Sequence, residues 1–100
     1  MQVDFSKQFK NFDGTTIPEK AGEDKSFTLA TASINAVMNP EEKLSGEDSV
    51  KRLDLATAIY AATKPLELTS EQVSLIKAQI AKVYGPLIVG QAWKMLEGQL

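Results

Sequence analysis

The chain has 100 residues, with 11 lysines and arginines against 13 acids, a formal charge of −2, no cysteine and no histidine. That length is one domain, residues 1–100, with enough chain to bury a core unaided, and 43% hydrophobic with 24% charged residues is ordinary for a soluble globular fold. The missing cysteines exclude a disulfide framework and thiolate metal sites, the missing histidines remove the commonest metal ligand, and the small net charge points to no strongly acidic or basic partner.

Residues 1–28 are unlike the rest. All four phenylalanines, Phe5, Phe9, Phe12 and Phe27, lie here. Asp13-Gly14 sits between Lys-Gln-Phe-Lys-Asn-Phe and Thr-Thr-Ile, and Asp-Gly between strand-forming residues predicts a β-hairpin, because glycine accepts the positive φ of a tight turn. Pro18 stops the second strand or leaves it at an edge. Residues 19–25 read as a polar loop around Gly22. Twenty-eight residues cannot fold alone, so the hairpin is expected to dock on the helices through its phenylalanines. The N-terminus, Met-Gln-Val-Asp-Phe-Ser-Lys, lacks the apolar stretch of a signal peptide, and the apolar run Leu87-Ile88-Val89 is far too short to span a membrane.

Residues 29–98 read as helical. A first helix is predicted over Leu29–Met38, capped by Thr28 and stopped by Asn39-Pro40. A second is predicted over Gly46–Thr63, capped by Ser45, with Glu47 and Asp48 in its first turn. Val50, Leu53, Thr57 and Tyr60 define one face of it and are expected to pack inward; Leu55, Ala58, Ile59 and Ala62 widen that face. The pairs Glu47/Lys51 and Asp48/Arg52 read as a solvated first turn. Leu66-Glu67-Leu68 is a short extended link beyond Lys64-Pro65.

Thr69 to Leu96 is the stretch around which the domain is expected to form. Thr69 and Gln72 make a capping box, and Leu68 with Val73 a hydrophobic staple. Val73, Ile76, Ile80 and Val83 recur at helical spacing. Gly85-Pro86 breaks that helix, and Pro86 can open the next at its first position. The last helix is apolar on nearly every side, which predicts a central, buried helix, with Gly90 allowing a close helix approach and Trp93 in the core. The other reading of the same surplus is that part of it meets a partner, and Tyr84, Trp93 and Met95 are the candidate partner-binding residues. A homodimer is compatible with both readings.

No catalytic arrangement emerges. Serines and threonines have no histidine to activate them, and Ser6-Lys7 and Lys25-Ser26 have no further support. The acids fall in loops and first turns and show no split-pKa pair. Neither Glu23-Asp24 nor Ser45-Gly-Glu-Asp has calcium-loop spacing, and no glycine opens a phosphate-binding loop. No enzyme activity, cofactor or metal is therefore expected. One arginine, Arg52, and ten scattered lysines give no basic cluster, so nucleic acid is not an expected partner either.

The order of pieces resembles small proteins encoded by tailed bacteriophages and prophages. The residues that carry the resemblance are Asp4-Phe5, Phe12-Asp-Gly-Thr-Thr-Ile-Pro, Thr28-Leu, Leu44-Ser-Gly-Glu-Asp, Lys51-Arg-Leu-Asp-Leu-Ala, Leu68-Thr-Ser-Glu-Gln-Val-Ser-Leu-Ile-Lys and Tyr84-Gly-Pro-Leu-Ile-Val-Gly-Gln-Ala. The resemblance covers nearly the whole chain. It implies a small non-enzymatic protein made in an infected bacterium, and it carries over no catalytic residue. Taken with the surplus apolar surface, the expectation is a protein–protein interaction module in the bacterial host cytoplasm that binds, and inhibits or redirects, a host or phage protein. A short β piece followed by helices is also similar to some tail assembly chaperones, which implies a role in virion morphogenesis as the alternative. The expected fold is α+β and mostly α: an N-terminal β-hairpin packed on three to four helices.

Overall fold

Hydroxyl caps start three of the helices where the sequence puts them. In the computed structural model, which describes residues 1–22 and 24–100, Thr28 Oγ1 accepts from the Thr31 N–H, Ser45 Oγ from Asp48, and Thr69 Oγ1 from Gln72, whose side chain returns the bond to the Thr69 N–H at 2.9 Å. The helices are α1 (Leu29–Val37), α2 (Gly46–Ala61), α3 (Ser70–Val83) and α4 (Pro86–Leu96), with β1 (Gln2–Val3) before them and β2 (Leu66–Glu67) between α2 and α3. The α4 helix opens with Pro86 after an extended Gly85 and has no side-chain cap. It ends in a Schellman turn: Gly98 takes φ +76°, and the Gln99 and Gly98 N–H groups donate to Lys94 and Met95.

Residues 8–18 fold as expected into a hairpin docked on the helices, and the pairing extends beyond it. Gly14 takes φ +87°, Asn11 and Thr15 are bonded across the turn, and Lys10 bridges Thr16. A third segment, residues 26–28, closes on both arms through the bridges Pro18↔Ser26 and Gln8↔Thr28. Phe9, Ile17 and Phe27 thus form a ring of main-chain hydrogen bonds: Phe9 donates to Phe27 (3.0 Å), Phe27 to Ile17 (2.7 Å) and Ile17 to Phe9 (3.1 Å). The carbonyls of Phe5 and Lys7 take up the N–H groups of Ala30 and Leu29 in the first turn of α1, donors that a helix cannot satisfy itself. β1 pairs antiparallel with β2, Gln2 opposite Glu67 and Val3 opposite Leu66. That pairing joins residues far apart in sequence, and the extended link before Thr69 supplies its second strand.

One core cluster draws on Val3, Phe5, Phe9 and Phe27 as well as on all four helices. Its centre is the pair α1 and α3, which pack on each other, with α2 packed on α1 and α4 on α3. Four expectations are corrected. The last helix is not central: α4 packs on α3 and buries Ala92, Met95 and Leu96 on one side, and Leu87, Gly90 and Trp93 are exposed. No helix approaches Gly90, where an added Cβ would meet nothing within 4 Å. The inward face of α2 is Leu55, Ala56 and Ile59, whereas Val50, Leu53, Thr57 and Tyr60 face out. Val83, at the end of α3, is exposed as well. In each case the apolar residues outnumber what one helix contact can cover, and packing selects one of two stripes. Among the described residues, no helix is long and apolar enough to cross a membrane.

A candidate protein-binding groove

The side of α4 turned away from the core carries Pro86, Leu87, Gly90, Gln91 and Lys94, one turn apart along the helix. The hairpin tip lies against this side because of Gln91. Its amide accepts from the Lys10 N–H and donates to the Lys10 carbonyl, both at 2.9 Å, as a neighbouring strand would, and its Nε2 also reaches the Leu87 carbonyl. Between tip and helix opens a depression of about 710 Å³. Pro86, Leu87 and Gly90 line it from α4, Asn11 and Phe12 from the hairpin tip, and Leu100 from beyond the Gly98 turn. Lys10 and Lys94 line it as well, and among the described residues no acid does.

Phe12 is 99% exposed, while Phe9, three residues earlier, is fully buried. Asp13 beside it holds the turn: Oδ1 accepts from the Thr15 N–H (3.0 Å) and hydroxyl (2.7 Å). The hydroxyl bond first, and the main-chain bond after it, lower the Asp13 pKa. Ser6 lowers the Asp4 pKa in the same way, through its hydroxyl and then its N–H. Both carboxylates brace turns. Among the described residues no group of three or more acids is placed to hold a metal ion.

The three residues singled out from sequence do not converge. Tyr84 is half-buried, its ring 5.6 Å from that of Phe27 and its hydroxyl accepting from Asn35. Trp93 is not in the core: it is 41% exposed and leans on α3, donating from Nε1 to the Lys77 carbonyl with the Lys77 ammonium 5.2 Å from its ring. Met95 is buried among the core residues. The groove is built instead from residues that sequence reasoning passed over. One signal was present: side chains alternate along a strand, so with Phe9 inside, Phe12 shares the outer face with Lys10. Compared with protein-family models, curated proteins and solved structures, the chain finds no match.

Proposed function

We propose that this is a non-catalytic protein–protein interaction module of phage origin, acting in the host cytoplasm by binding, and thereby inhibiting or redirecting, a host or phage protein. The observation that carries the reading is the groove: an open, largely apolar depression lined in part by a fully exposed phenylalanine. Large exposed aromatics next to an apolar cleft mark interaction sites. The two lysines, in a lining with no acid among the described residues, select an acidic segment that presents an aliphatic or aromatic anchor. The phage resemblance supports the setting. A second reading, a virion-morphogenesis protein such as a tail assembly chaperone, is favoured by the further apolar stripe on α2, since assembly proteins meet more than one neighbour.

The test is a matched pair of columns, one carrying the protein and one carrying Phe12→Ser with Leu87→Glu, loaded with lysate of host and of infected cells. A protein held by the first and lost from the second, with amine cross-links at Lys10 or Lys94, is the expected result. Capture that survives the double change, or no capture from either lysate, overturns the proposal. Identification of the captured protein as a tail component would move the assignment to the second reading.

A further inference from the structure

The α2 helix has two apolar faces, and the fold uses one. Leu55, Ala56 and Ile59 are buried, whereas Val50, Leu53 and Tyr60 are 58%, 53% and 84% exposed. At about 3.6 residues per turn the exposed set lies about 130° round the helix from the buried set, with Tyr60 next to the buried Ala56. Its spacing, Val50, Leu53, Thr57, Tyr60, is that of the a and d positions of a coiled-coil seam.

We propose that this stripe packs against the same stripe of a second copy of the chain, antiparallel, to give a twofold-symmetric dimer. The stripe is self-complementary in that direction. With the twofold axis between Leu53 and Thr57, Val50 meets Tyr60 of the second copy and Leu53 meets Thr57 of the second copy, so a large side chain faces a smaller one at each level. The charges also choose the direction. Glu47 stands in the first turn of α2 and Lys64 just beyond its last. An antiparallel pair sets Glu47 near Lys64 of the second copy at both ends and opposes the two helix dipoles, whereas a parallel pair sets like against like. Asp54 falls beside the axis, and Lys51, one turn away on the same helix, offsets it. Such an interface uses the same patch on both subunits and closes at two. It lies on α2, which packs on α1, and leaves the α4 groove to its own partner.

Sedimentation of the full chain across a wide concentration range gives the first reading, a monomer–dimer equilibrium. Leu53→Glu is expected to weaken it by about thirtyfold or more while the thermal melt of the monomer holds. Because the chain has no cysteine, single thiols report direction. A mixture of Val50→Cys and Tyr60→Cys proteins treated with a short bis-maleimide should join one variant to the other in preference to either with itself. A monomer at every concentration, growth beyond two, a dimer indifferent to Leu53→Glu, or cross-linking of each variant only to itself would each overturn the proposal. None of these results bears on capture by the groove.

Discussion

The side-chain amide of Gln91 is bonded at both of its ends to the main chain of Lys10, across 81 residues of sequence. It stands in for the strand that the hairpin edge lacks, and it fixes the distance between the hairpin tip and α4 on which the groove depends. Both bonds are near solvent, so each contributes about 0.5–1.5 kcal/mol. Gln91→Ala is expected to lower stability by about 1–2 kcal/mol in urea and to speed hydrogen exchange at the Lys10 amide above all others. Unchanged exchange at Lys10 would show that the contact does not hold in solution.

The contrast between Ile76 and Trp93 tests whether the last helix is central. Ile76 is fully buried on α3, and Ile76→Ala should cost about 2–5 kcal/mol. Trp93 keeps 41% of its surface exposed, so Trp93→Ala should cost well under the about 3–5 kcal/mol of a buried tryptophan and leave a cooperative unfolding transition. Native emission should be partly quenched by iodide. A Trp93→Ala protein that fails to fold would return α4 to the centre of the core.

Much of this architecture is legible in the sequence, and what is not has physical reasons. Caps are local chemistry, so Thr28, Ser45 and Thr69 place the helix starts to the residue, and Asp13-Gly14 places the hairpin. Pairing across the chain is another matter: nothing near Gln2 names Glu67 as its partner, and the three-way ring of Phe9, Ile17 and Phe27 needs residues that no local pattern connects. Periodicity shows that α2 has apolar stripes but not which one the domain covers, since both Val50–Tyr60 and Leu55–Ile59 satisfy it. The groove is not legible because it is lined by Gly90, by two lysines and by a phenylalanine that composition assigns to the core.

Asp4 and Asp13 are expected to contribute to the domain's acid sensitivity. Hydrogen bonds from Ser6 and Thr15 hold both carboxyls below their ordinary pKa of 3.8. A depressed pKa in the folded state means stability that is present above the unfolded value and lost as pH falls through the folded one. Urea midpoints should therefore drop as pH is lowered from about 5 to below 3.8, and Asp4→Asn with Asp13→Asn should flatten that fall. An unaltered slope in the double variant would assign the acid sensitivity to other carboxyls.

Ser33 lies on the buried side of α1, fully enclosed, and its hydroxyl has no hydrogen-bond partner. An enclosed polar group left unpaired costs about 1–3 kcal/mol. Ser33→Ala removes that cost and only a small volume, and alanine is the better helix former. The variant should be more stable by about 1 kcal/mol, read as a raised melting temperature. A loss of stability would mean that the hydroxyl is satisfied after all, by the chain or by a buried water.

Phe9 and Phe12 occupy one arm of one hairpin and have opposite fates. Phe9 is fully buried, its ring 5.0 Å from that of Phe27, while Phe12 touches almost nothing. Phe9→Ala should cost about 3–5 kcal/mol, a large share of the about 5–15 kcal/mol that holds a domain together, and the variant should be partly unfolded at ambient temperature. Phe12→Ala should change stability by no more than about 0.5 kcal/mol, because it removes no packing. If the groove serves a partner, the same Phe12→Ala protein, fully folded, loses that partner. A destabilisation of more than about 1 kcal/mol, beyond the range of an isolated surface change, would instead mean that Phe12 folds down onto Leu87 and Gly90 in solution, and that the groove is filled by the chain itself.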